Sequence, residues 1–219
     1  MKYSPSIEPS PLPFSPFKSC TVPRPIGWLS SVSAAGVENI APYSQWQNLT
    51  FDPPIVMFSA NQYPDGRRKD TVLNAEETGW FVWNMATYDL REAGNLSAMA
   101  LPPEESEFDR LNVTREYADN ARIPMVKESP VKFECRYLGT HRLKGNSAVG
   151  TIDIVFAQVE TIHIDDRFIT REGKLDIPAI KPIARLGYFD YTVVKDVFEM
   201  RVPGADADAR FGLEGRAAG

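Results

Sequence analysis

The sequence predicts a mainly β protein with a few helices, folded as a barrel of short strands. Three observations carry this. Apolar runs of strand length recur between turn residues from Gly27 to Ile164. Only two stretches carry helical start and stop signals. No Gly-x-Gly-x-x-Gly follows any strand, so a doubly wound dinucleotide domain lacks its phosphate turn. Many short strands with few helices favour a barrel over such a sheet.

Residues 1–20 are rich in proline and serine and read as an extended arm. A body from 21 to 201 follows, and then a small, polar, glycine-rich tail from 202 to 219. Within the body, 27–32 and 39–44 form a hairpin about the turn at Ala34-Ala35-Gly36. Residues 55–60, after Asp52-Pro53-Pro54, and 80–85 are continuous apolar runs, as buried strands are. Residues 70–78 read as a helix with Asp70 as N-cap and Gly79 just past its end. A second helix spans 89–99 and stops before Pro102-Pro103. Residues 132–138 alternate, with Phe133, Cys135 and Tyr137 inward and Lys132, Glu134 and Arg136 on a wet face. In 151–164 the apolar set moves from Ile152, Ile154 and Phe156 to Val155, Ala157 and Val159, which predicts a β-bulge or a barrel corner.

The 219 residues suffice to bury a core without staples, and the net charge of -5 offers no basic field for nucleic acid. The two cysteines, Cys20 and Cys135, and two histidines, His141 and His163, have no metal-ligand spacing. The first residues lack the apolar core of a signal peptide, and no run approaches the roughly 18 apolar residues of a membrane span. A cytoplasmic protein with no membrane association is expected. The glycosylation patterns at Asn48, Asn95 and Asn112 then read as chance.

No Gly-x-Ser-x-Gly elbow, His-Glu-x-x-His or P-loop is present, so no side-chain constellation for hydrolysis or phosphoryl transfer is in view. Two stretches carry chemistry. Arg67-Arg68-Lys69-Asp70-Thr71 puts cations before a helix start with a hydroxyl in its first turn, which suits a phosphate. A solvated basic turn before an ordinary cap would look the same. The stretch from Ala41 to Thr50 mixes amides and hydroxyls with Tyr43 and Trp46, as a flat heterocycle with a polar edge requires. A polar loop with two aromatics on the core fits it equally well.

The order of motifs is more specific. Pro23-Arg24-Pro25-Ile26-Gly27-Trp28-Leu29-Ser30 leads to Asn39-Ile40-Ala41-Pro42-Tyr43-Ser44 and Asp52-Pro53-Pro54-Ile55-Val56-Met57-Phe58-Ser59. Lys69-Asp70-Thr71-Val72-Leu73-Asn74 and Glu77-Thr78-Gly79-Trp80-Phe81-Val82 come next. His163-Ile164-Asp165-Asp166, Pro182-Ile183-Ala184-Arg185-Leu186-Gly187 and Tyr191 close the series. Over about residues 20 to 201 this series resembles the flavin reductase-like, FMN-binding split-barrel family, which includes flavin reductase components of two-component monooxygenases and flavoredoxin-type carriers.

The resemblance implies a six-stranded antiparallel Greek-key split barrel, a homodimer, and FMN near the subunit interface. It places Tyr43, Ser44 and Gln45 at the isoalloxazine edge, and Asn48, Leu49 and Thr50 at the ring and ribityl chain. Arg68, Lys69 and Thr71 fall at the phosphate, Arg24 near the cofactor, and Arg185 and Tyr191 along the site. It implies an NAD(P)H-dependent flavin reductase with hydride transfer to flavin N5, no catalytic side chain of its own, NADH or NADPH as donor, and a monooxygenase or other acceptor as partner. An FMN electron carrier and a non-catalytic flavin-binding module are the alternatives. Gln45-Trp46-Gln47 departs from the small residues of many relatives, and the polar segment between Pro102 and Pro124 matches no family motif and reads as a flap.

Overall fold

The computed structural model describes residues 1–200. The polar tail expected from 202 to 219 lies outside the described residues. The chain runs β1 (Arg24–Pro25), β2 (Gly27–Val32), β3 (Glu38–Tyr43), β4 (Trp46–Phe51), β5 (Pro54–Asn61), α1 (Asp70–Thr78), β6 (Trp80–Asn84) and α2 (Arg91–Leu96). It continues with β7 (Arg115–Tyr117), β8 (Pro124–Val126), β9 (Val131–Leu143), β10 (Ile152–Ile164), α3 (Ile177–Ile180), β11 (Ile183–Gly187) and β12 (Asp190–Val193).

The main sheet is antiparallel throughout, in the order β3-β2-β6-β9-β10-β5-β4. Its seven strands are one more than the resemblance implies, with β4 counted as the outermost. The edge strands β3 and β4 are consecutive in the chain and joined only by Ser44 and Gln45. A flat sheet would hold those edges roughly 29 Å apart at about 4.8 Å per neighbour, whereas that link reaches about 11 Å. The sheet therefore curls until its edge strands approach at the corner Ser44-Gln45, where no ladder joins them. Aromatic side chains fill the interior. Phe58 lies 5.2 Å from the Tyr43 ring and 5.3 Å from Phe81, and Trp46 stacks on Trp83 at 5.4 Å. A Cβ at Gly27 would stand 3.1 Å from the Trp46 Cβ, so the residue there must be small for β2 and β4 to approach.

Helix α1 ends as its sequence requires: Gly79 takes the left-handed conformation at φ 80° and its N–H bonds the Ala75 carbonyl. Its start differs from expectation, because Lys69 is the N-cap, Asp70 is the first helical residue, and no side chain caps it. The second helix is shorter than 89–99, covering Arg91–Leu96. The expected wet face of β9 is covered. Lys132 and Glu134 are buried because the β7–β8 hairpin lies over them. Lys132 pairs with Glu116 at 2.8 Å, while Glu134 accepts from the Asn120 N–H, the Asn120 side chain and His163 Nε2. The segment between Pro102 and Pro124 is thus a packed layer rather than a loose flap, with Phe108, Ala118 and Ile123 buried. On β10 the buried face runs unbroken through Val155, Ala157 and Val159, and the register shifts fall between Phe156 and Ala157 and between Val159 and Thr161.

A smaller sheet, β1-β11-β12, flanks the barrel. The N-terminal arm is tied to it. Arg24 donates to the carbonyls of Lys18, Thr21 and Leu186, and Ser19 lies so close to Gly187 that a Cβ there would overlap it. No helix among the described residues is long and apolar enough to cross a membrane.

Candidate functional site

The bend from β3 into β4, the start of α1 and the stretch after α2 converge on one side of the barrel. Two cavities meet there and share Pro42 as a wall. The smaller, about 110 Å³, is lined by Asn39, Tyr43, Tyr63, Lys69, Thr71 and Glu107, with Asp70 beside them. The larger, about 350 Å³, is mostly apolar, with Ile26, Trp28, Tyr88 and Tyr191 as walls and Arg91 and Asn95 as polar groups. Helix α2 lies on the larger cavity, and the residues just after it, Ser97 to Ala100, lie on the smaller. The Trp28 indole donates to Ser97 Oγ at 2.9 Å, which pins that stretch to the barrel.

The smaller cavity is polar and tightly ordered. Lys69 Nζ sits 3.3 Å from the centroid of the Tyr63 ring, and among the described residues it enters no salt bridge. Partial burial pushes its ammonium down from the ordinary lysine value. The Thr71 hydroxyl donates to Asn39 Oδ1 at 2.8 Å, and the Asn39 amide donates to Glu107 Oε2 at 3.0 Å. Burial pushes the Asp70 and Glu107 carboxyls up, and it pushes the Tyr43 phenol up strongly.

A phosphate-bearing flavin needs an anion seat beside a ring site. An ammonium with no carboxylate at ion-pair distance among the described residues stands at the N-terminus of a nine-residue helix. Helix starts leave N–H groups without intrahelical partners, and the helix dipole favours an anion there; in α1 the Val72 N–H is already bonded to the Lys69 carbonyl at 3.0 Å, which leaves the two residues before it. Asp70 and Glu107 stand on the same cavity and oppose the anion. Next to this polar end, across Pro42, lies the mostly apolar cavity of about 350 Å³. The residues fit the group.

The sequence-predicted residues divide. Tyr43, Lys69 and Thr71 come together at the smaller cavity. The Thr71 hydroxyl proton is engaged by Asn39. Tyr191 lines the larger cavity, and Arg185 donates to its hydroxyl at 2.6 Å while lying 4.6 Å from its ring. Asn48 lines a third, apolar opening of about 340 Å³ beside Trp46, Trp83 and Phe133. Ser44 and Gln45 form the corner itself, half-buried, and the Gln45 carbonyl accepts from the Ser59 N–H at 2.9 Å. Leu49 and Thr50 are exposed on the sheet edge. Arg24 holds the arm. Arg68 is engaged by Glu76 at 2.5 Å and Asp153 at 2.9 Å, and these carboxylates drive its guanidinium further up. Asn39, Tyr63, Glu107 and Arg91 line the two cavities without having been singled out from the sequence. Asn39 opens the Asn39-Ile40-Ala41-Pro42 motif and was the one such signal available.

The curled antiparallel sheet, with a polar seat beside its bent edge, is a split barrel of the flavin reductase type. The chain belongs to the family described as flavin reductase like domain, which matches residues 19–188. Among solved structures, nitrilotriacetate monooxygenase component B from Bacillus cereus is similar with a TM-score of 0.83 and 28% identity, covering 91% of this chain and 98% of that one. Flavoredoxin of Desulfovibrio vulgaris (Miyazaki F) shares the fold with a TM-score of 0.72 at 16% identity, covering 93% of this chain and 99% of its own. An uncharacterised protein of Halalkalibacterium halodurans is 33% identical over 183 residues, 83% of this chain and 87% of the relative.

Proposed function

We propose that the protein binds FMN across Pro42 and acts as an NAD(P)H-dependent flavin oxidoreductase. The observation that carries this is the pairing of a cationic helix start with an apolar cavity on either side of one residue, in a flavin reductase-like chain. Bound FMN would supply hydride acceptance at N5 from NADH or NADPH. The chain's own groups bind and orient. Lys69 and the first turn of α1 hold the phosphate. The Ser44-Gln45 corner presents backbone and side-chain groups to the ring edge, and Trp28, Pro42 and Tyr88 exclude water from its face. No acid–base pair in the chain is needed.

The same reading includes a homodimer. Strand β4 is a free sheet edge, with Leu49 and Phe51 half-exposed beside the opening at Trp46. A second copy covering that edge removes both the unpaired backbone and the apolar surface. The likeness to a monooxygenase component supports an oxygenase as electron acceptor.

The test is an absorbance spectrum of the purified protein followed by anaerobic titration with NADH and with NADPH. Bleaching of bound flavin by either nicotinamide supports the reductase. A yellow protein inert to both is an electron carrier or a binding module, and a protein without affinity for FMN removes the reading entirely.

A further inference from the structure

The segment between Pro102 and Pro124 matches no flavin motif, yet it sends a carboxylate into the polar cavity. Glu107 is 6% exposed. Its Oε2 accepts from the Asn39 side-chain amide at 3.0 Å and from the Ile40 backbone N–H at 3.0 Å. Both bonds fall on one oxygen. They fix the Asn39 amide in one orientation, with its nitrogen toward Glu107 and its Oδ1 toward helix α1. That Oδ1 then accepts from the Thr71 hydroxyl at 2.8 Å, and Ser31 Oγ stands 3.3 Å away. Ser31 in turn accepts from the Asn74 amide at 3.0 Å, one turn further along α1. The first turn of α1 is thereby fastened to β2 and β3 through buried side chains, and the fastening begins at Glu107. No side chain caps that helix from its own N-terminus.

We propose that Glu107 is a positioning residue for phosphorylated flavin, acting through Asn39 and Thr71 to hold the start of α1, and with it Lys69, at the phosphate seat. The proposal rests on the FMN reading and deepens it. Glu107 does not itself bind the phosphate, since its charge has the same sign. Its contribution is an acceptor atom in a buried place. Without that atom, the Asn39 amide and the Ile40 N–H lose their partner, the amide is free to turn, and Thr71 loses a fixed acceptor. The donors at the helix start then lose their alignment, which a dianionic group demands and a ribityl hydroxyl does not.

The acceptor and the charge can be separated. Glu107→Gln keeps a carbonyl oxygen where Oε2 stands and removes the negative charge. Glu107→Ala removes both. FMN and riboflavin titrations on the full chain, with melting curves, read the difference. The expected result is at least about a fivefold loss of FMN affinity in Glu107→Ala, with riboflavin within about twofold of the unsubstituted protein, and FMN affinity restored in Glu107→Gln. Asn39→Ala breaks the same chain one link further on and carries the same expectation, so it replaces Glu107→Ala if that variant does not fold. Equal losses for both flavins would mean that Glu107 serves only the fold and would overturn the proposal. Unchanged FMN binding in both alanine variants would overturn it too, as would a Glu107→Gln loss as large as that of Glu107→Ala. If the unsubstituted protein binds neither flavin, the FMN reading itself has failed, and the proposal with it.

Discussion

The proposed phosphate seat separates two neighbouring cations that sequence alone cannot tell apart. Lys69 faces the small cavity with no carboxylate at ion-pair distance among the described residues, whereas Arg68 is held between Glu76 and Asp153. Lys69→Ala is therefore expected to weaken FMN, and Arg68→Ala to weaken the fold. A charge-assisted bond to phosphate is worth about 1.5–3 kcal/mol. From this comes whatever part of the Lys69 contact with the Tyr63 ring, 3.3 Å away, is given up on binding; such contacts are worth about 0.5–2 kcal/mol. Asp70 and Glu107 on the same cavity also oppose the phosphate. The net falls near the low end, about 1.4 kcal/mol, which is roughly tenfold in affinity. Riboflavin, lacking the phosphate, should bind Lys69→Ala within about twofold of the unsubstituted protein. Arg68→Ala removes one of two arginines from Asp153, which is 1% exposed and keeps Arg142 at 2.8 Å. The cost expected for a partly relieved buried carboxylate is about 2 kcal/mol, or a fall in melting temperature of roughly 4–8 °C for a chain of this size. Fluorescence titration with each flavin, alongside thermal melts, measures all four quantities. A selective FMN loss in Arg68→Ala with an unchanged melt, or equal loss of both flavins in Lys69→Ala, would refute this assignment.

Two further expectations concern groups away from the seat. Cys20 is exposed and Cys135 is buried with its thiol pushed up by burial, so a thiol reagent should modify about one cysteine per native chain and both after denaturation; two fast thiols in the native protein would contradict the placement of Cys135 in the core. Burial alone would raise the Glu134 carboxyl, but bonds from Asn120 and His163 outweigh it and hold it below the ordinary value. A depressed carboxyl contributes stability above its unfolded pKa and loses it as pH falls through the folded one, so the stability gap between the protein and Glu134→Gln should be open at pH 7 and close below about pH 4.5; a gap that does not change over that range would show that the charge of Glu134 is not what its partners recognise.

What could be read from the sequence depended on how local the cause was. The β2–β3 hairpin and α1 stand where turn residues, apolar runs and Gly79 put them, because each signal acts within a few residues. Strand β4 shows no strand signal in the sequence, where its stretch fits a heterocycle edge and a polar loop equally well. Five of its six residues, Gln47 to Phe51, are exposed, and an edge strand with one open side shows no alternation. The face of β9 bearing Lys132 and Glu134 looked wet, since the hairpin that covers it comes from a polar segment with no apolar period of its own.

The same distinction explains the site. Basic residues before a helix start are visible as a run, and that run put Arg68, Lys69 and Thr71 forward together. Whether a cation in the run is free is decided by carboxylates elsewhere. Glu76 is one helix away from Arg68, but Asp153 comes from β10, 85 residues further on. Glu107 reaches Asn39 across a gap of 68 residues. The family motifs mark the backbone proposed to face the cofactor, because backbone shape is set locally. They leave open which charges remain unpaired there, because pairing is set by the closed barrel. A carboxylate brought in by an otherwise unremarkable polar segment can therefore govern a seat that the motifs alone assign to their own residues. Comparing Glu107→Ala with Lys69→Ala measures how much of that seat belongs to the motif and how much to the segment that props it.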